Sequence, residues 1–112
     1  KNKKGMERSL FLAQRITAMI LAPLVIIHLG LILYSVQGGL TAAEILDRTQ
    51  GSIGWALFYS LFVVCAAVHA PIGLRHVINE WTSMPQRWVN TLVMILGSAL
   101  LLLGLRAVSA VY

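Results

Sequence analysis

Three histidines carry the chemistry that this chain could do. His69 lies inside the apolar run VVCAAVHAPIGLRHVINEW, His76 follows seven residues later beside Arg75, and His28 lies in an earlier run, LAPLVIIHLG. Burying imidazole in oily surroundings is costly unless the ring finds a hydrogen-bond partner or a metal. Neutral imidazole is a good ligand for haem iron, and it can equally bridge two helices by hydrogen bonding. On the residues alone both readings of His69 stand. Arg75 and His76 would place positive charge beside anionic groups such as haem propionates, or serve as ordinary interface anchors.

The elements that must position these residues follow from composition. The chain has 112 residues, of which 58% are hydrophobic and only 12% charged. Soluble domains use about 25% charged residues, so a soluble fold is excluded. The apolar residues fall into three blocks, 16–36, 53–74 and 89–111. At about 1.5 Å rise per residue each is long enough to cross a hydrocarbon layer of about 30 Å. Helices are expected, because lipid cannot satisfy open backbone groups. The fold expected is all-α and integral to the membrane: one domain over residues 1–112, three transmembrane helices forming half of a bundle that a second subunit completes. The first block is too long for a signal peptide and has no small-x-small end.

The formal charge of +5 does not point to nucleic acid, because of where it lies. Lys1, Lys3, Lys4, Arg8 and Arg15 precede the first span, and Arg75 and Arg87 bracket the second connection. The first connection carries Glu44, Asp47 and only Arg48. The positive-inside rule then puts the N-terminus on the cytoplasmic or matrix side. Arg106, near the far end of the third span, can snorkel to the interface. The single cysteine, Cys65, has no partner for a disulfide or zinc site and reads as a packing residue.

Gly38 and Gly39 should end the first helix. Thr41 and Glu44 have capping-box spacing, which predicts a short surface helix. Pro23 and Pro71 fall within spans and can kink them. Ala66, Ala70 and Gly73 make a small-residue stripe, and Gly97 and Gly104 offer the same on the third span, allowing close approach of a helix or a flat cofactor. Measured from Arg75, His69 lies about 9 Å deep; measured from Arg15, His28 lies about 20 Å deep. The two histidines therefore belong to different levels and cannot share one iron.

HAPIGLRH has the form H-x-x-x-G-x-R-H, and QRITA stands at residues 14–18. Together these resemble the cytochrome b membrane-anchor subunits of succinate dehydrogenases and fumarate reductases, with Arg15, Thr17, His69, Gly73, Arg75, His76 and Glu80 at matching places. The resemblance spans about residues 10–81. It implies a complex with a flavoprotein subunit, an iron–sulfur subunit and a second membrane-anchor subunit. It further implies haem b and a quinone, menaquinone or ubiquinone. The setting would be a bacterial or archaeal cytoplasmic membrane or the mitochondrial inner membrane. Carried over, His69 becomes an axial haem ligand, and Arg15, Arg75 and His76 lie near the haem propionates or the quinone.

The sequence also departs from that pattern. Many single-haem members have a histidine before the first-helix arginine and, three residues earlier, a serine of the quinone pocket. Here Gln14 and Phe11 stand there, Ser9 is out of register, and Ala18 replaces the family's glycine. His28 resembles the first-helix ligand of two-haem members, which implies a second haem shared with the partner anchor. The competing reading is a haem-free structural anchor whose histidines only hydrogen-bond between helices. A small transporter subunit fits poorly, since Glu44, Asp47 and Glu80 all fall in connections.

Overall fold

The computed structural model describes residues 2–39 and 41–112, with side chains from residue 5 onward. Lys1 and the side chains of Lys3 and Lys4, part of the basic lead, lie outside the described residues. The described chain is helical throughout its elements: α1 (Asn2–Gln37), α2 (Ala42–Thr49), α3 (Ile53–Trp81) and α4 (Gln86–Val111). Three of these, α1, α3 and α4, are long and apolar enough to cross a membrane.

The helices outrun the apolar blocks. The basic lead continues into the first span: α1 is unbroken from Asn2 through Gln37 and passes through Pro23. Likewise α3 continues seven residues past Leu74, to Trp81. The long axis of the molecule measures 52 Å. That exceeds the hydrocarbon thickness of about 30 Å, so the polar turns project beyond it at both ends.

The turns obey local chemistry. Gly39 has φ +103°, a conformation that favours glycine and stops α1. Thr41 then caps α2 by accepting from the Glu44 N–H at 3.2 Å, as the capping-box spacing predicts. Ser52 caps α3 by accepting from Trp55 N–H at 3.3 Å. Open carbonyls at the end of α4 are also satisfied: Thr49 Oγ1 donates to Val111 O at 2.8 Å, and the Gly51 N–H donates to Tyr112 O at 2.6 Å. The short helix α2 is thereby pinned to the end of α4.

Central in the arrangement is α3, which packs against α1 on one side and more extensively against α4 on the other. Small residues make the α3–α4 seam close. A Cβ on Gly97 would lie 3.1 Å from Pro71 Cγ and 3.2 Å from Ala67 O. Ala67 O is the carbonyl that Pro71, lacking an N–H, cannot engage, so the glycine sits against the break in the ladder. A Cβ on Gly104 would come within 2.5 Å of Val63 Cγ1. Elsewhere apolar surface stays open: within the most apolar stretch of each spanning helix at most 17% of residues are buried. Lipid or a further subunit must cover the rest.

Candidate functional site

The seam between α1 and α3 collects the polar residues that a membrane interior tolerates least. Thr17, Leu21 and Leu24 of α1 are buried there, and His28 lies half-buried further along the same face. His69 of α3 meets Thr17, with the hydroxyl oxygen 3.3 Å from Nδ1 of the ring. The same hydroxyl is 2.7 Å from Ala13 O and 3.1 Å from Gln14 O, one turn back in its own helix. Nε2 of His69 makes no hydrogen bond among the described residues. One turn along α3, Gly73 lets Gln14 approach: a Cβ on that glycine would be 3.3 Å from Gln14 Nε2. The Gln14 side-chain oxygen is buried without a partner. A glycine packed by Gln14, a half-buried imidazole and an orphaned polar oxygen therefore lie within about one turn of each other.

The Thr17–His69 contact fixes the registry of α1 on α3, and with it the distance between the two membrane histidines. His28 follows Thr17 by eleven residues on nearly the same face, which is about 16 Å along the helix. The separation exceeds the value implied by measuring each histidine from its own arginine. The reason is that Arg15 and Arg75 are not level: Arg15 is two residues from Thr17, whereas Arg75 is six from His69. The histidines thus lie on one seam, on opposing helices, well apart in depth.

His28 faces α3. Its ring centroid is 5.2 Å from that of Phe62 and 6.1 Å from that of Tyr59. It borders a cavity of about 380 Å³ that runs to Ser35, Arg48 and Thr49 near α2. Arg48 donates to Ser35 Oγ at 3.4 Å and lies over the rings of Tyr34 and Trp55, at 5.9 and 6.0 Å.

The remaining candidates occupy different faces. His76 shares the stripe of His69, about 10 Å further along α3, and is exposed. Arg75 points about 120° away from that stripe. Its buried guanidinium is held by Glu7 Oε1 and Asn90 Oδ1, each at 3.3 Å, and borders a second, apolar groove between α3 and α4. Arg15 is exposed, about 160° around α1 from Thr17, on the side away from α3. Glu80 is exposed and helical in the last turns of α3. Sequence reasoning missed Glu7, Asn90 and the contact made by Thr17. A signal for the ion pair existed: once α1 is helical from its start, Glu7 and Arg75 both lie about 9–15 Å beyond the Thr17–His69 level.

Among the described residues no group of three or more His, Cys, Asp and Glu gathers to hold a metal ion. Axial ligation of haem by two chains asks less, a single well-placed imidazole from each. His69, half-buried with Nε2 unpartnered among the described residues, meets that demand.

No curated protein and no solved structure matches the chain. The family model described as succinate dehydrogenase/fumarate reductase transmembrane subunit matches residues 3–105, nearly the whole length. With three span-length apolar helices in an integral membrane protein, that match settles the kinship: the chain belongs to the family of succinate dehydrogenase/fumarate reductase transmembrane subunits.

Proposed function

We propose that the chain is a haem b-binding membrane anchor that conducts electrons between an iron–sulfur subunit and membrane quinone. His69 would serve as an axial ligand through Nε2, and His28 as a ligand to a second haem further across the bilayer. A second anchor subunit would supply the opposite ligands, and the flavoprotein and iron–sulfur subunits would dock at the basic N-terminal side, taken as cytoplasmic or matrix. The observation that carries this reading is the presence of two half-buried imidazoles on one helix seam, about 16 Å apart in depth.

Bound haem, which His69 and His28 would help to hold, would supply one-electron chemistry. The chain's own residues do the rest. His69 and His28 fix position and depth. The apolar flanks of α1 and α3 exclude water and keep the local dielectric low, which sets the potential. His76, on the His69 stripe, places a hydrogen-bond donor at the level where propionates would lie, while Arg75 is engaged by Glu7 and Asn90 on another face of α3. Arg15 stands at the far side of α1, where it can face a partner subunit or the interface. Gln14 and Phe11 replace the residues that shape the family's usual quinone pocket, so a quinone carbonyl, which only accepts, needs another hydrogen-bond donor here.

A pyridine haemochrome assay on the purified complex tests the proposal. Two haems b per complex are expected, and His69→Ala should remove one. An unchanged b-type spectrum in His69→Ala would refute the assignment. Absence of haem from the wild-type complex would favour a purely structural anchor, with His28 packed against Phe62 and Tyr59.

A further inference from the structure

The Thr17 hydroxyl has one proton and two neighbouring carbonyl oxygens, Ala13 O at 2.7 Å and Gln14 O at 3.1 Å. Carbonyl oxygens only accept. The proton is therefore spent within α1, and what Thr17 turns towards His69 is a lone pair. Nδ1 lies 3.3 Å from that oxygen, so the favourable arrangement puts a proton on Nδ1 and donates it to Thr17. The ring then holds its only remaining lone pair on Nε2. Thr17 is buried, so water does not compete for the contact.

We infer that Thr17 is the positioning residue of this site: its hydroxyl fixes His69 in the Nδ1–H tautomer and turns the bare Nε2 out as the ligand atom. This rests on the reading of His69 as an axial ligand. The physical consequence reaches beyond geometry. A hydrogen bond donated from Nδ1–H makes Nε2 a stronger electron donor to iron and so favours the more highly charged, oxidised iron. Loss of the acceptor weakens ligation and shifts the midpoint potential upward.

The test uses the intact purified complex with three variants. In Thr17→Val the side chain keeps its shape and loses the acceptor; in Thr17→Ser it keeps the acceptor and loses a methyl. Haem content, the low-spin spectrum and a redox titration are read for each. Thr17→Val should raise the midpoint potential of the His69 haem and weaken its retention on detergent washing by about 10-fold or more. Thr17→Ser should match wild type in both. Complete loss of that haem in Thr17→Val with normal content in Thr17→Ser also supports the inference. An unchanged potential and content in Thr17→Val overturns it, and so do equal effects in the two variants, which would mark a packing role. His69→Ala separates the two claims. If it leaves the b spectrum intact, the ligand assignment has failed; if it removes the haem while Thr17→Val changes nothing, only the inference has failed.

Discussion

Glu7 and Arg75 meet across 68 residues of chain, carboxylate to guanidinium at 3.3 Å. The carboxylate is half open to solvent, while the guanidinium is only 9% exposed. This pair explains why α1 stays helical well before its apolar block begins: the first turns have a partner on α3. Asn90 of α4 reaches the same guanidinium, so one arginine joins three helices at the Lys-rich end.

Removing the two partners of that pair should therefore have unequal effects. Glu7→Ala takes away a half-exposed charge and should cost about 1 kcal/mol or less. Arg75→Ala strips the shared donor from Glu7 and Asn90 together and opens space against α4, so it should cost more. Thermal melts of the purified complex check the order. Equal losses would mean that the Asn90 contact contributes nothing.

The glycines of α4 make a sharper prediction. At Gly104 a methyl group would collide with Val63, whereas at Gly30 a Cβ meets nothing within 4 Å. Gly104→Ala should destabilise by about 1–3 kcal/mol, the usual range for overpacking. Gly30→Ala should be neutral or slightly stabilising, since alanine is the better helix former. Adding Val63→Ala to Gly104→Ala should recover most of the loss, because the two positions share one contact. Yield and melting temperature of the three variants decide it.

Much of this was legible in the residues, for identifiable reasons. Long apolar blocks with few breakers leave lipid-spanning helices as the only option, and Thr41 with Glu44 announces a cap because hydroxyl and amide spacing is local. Gly97 and Gly104 were readable as close-approach positions because they are the glycines, the smallest residues, of a largely apolar span. What stayed hidden depends on registry between helices. Nothing in QRITA says that Thr17, and not Arg15, stands level with His69; depth measured from arginines misleads because a long flexible side chain need not lie in the plane of its own Cα. The Glu7–Arg75 pair was hidden for the same reason, since it depends on α1 starting at Asn2, well before the apolar block.

His28 offers a choice between ligation and packing that a substitution can force. Its ring fits among Phe62 and Tyr59, so phenylalanine should fill the same place at similar cost. If His28 is a ligand, His28→Phe should leave the complex assembled but with one haem b fewer, while the His69 haem persists. If it only packs, haem content stays at the wild-type value. The haem-to-flavin ratio of the purified complex gives the answer.

Sidedness follows from the charge distribution and can be read with cysteines. Lys3, Lys4 and Arg8 lie in the first turns of α1, with Arg87 in the first turn of α4 at that same end, while α2 carries Glu44 and Asp47 against Arg48 at the other. Cationic residues are retained on the side from which the chain inserts, which predicts the Lys-rich end inside. The native thiol, Cys65, is buried, and Cys65→Ser removes it as background. In that background Asp47→Cys and Ser83→Cys place single thiols on exposed positions at the two ends. A membrane-impermeant maleimide should label Asp47→Cys in intact cells and Ser83→Cys only after permeabilisation. The reverse pattern would put the Lys-rich end outside, and with it the face proposed to receive the iron–sulfur subunit.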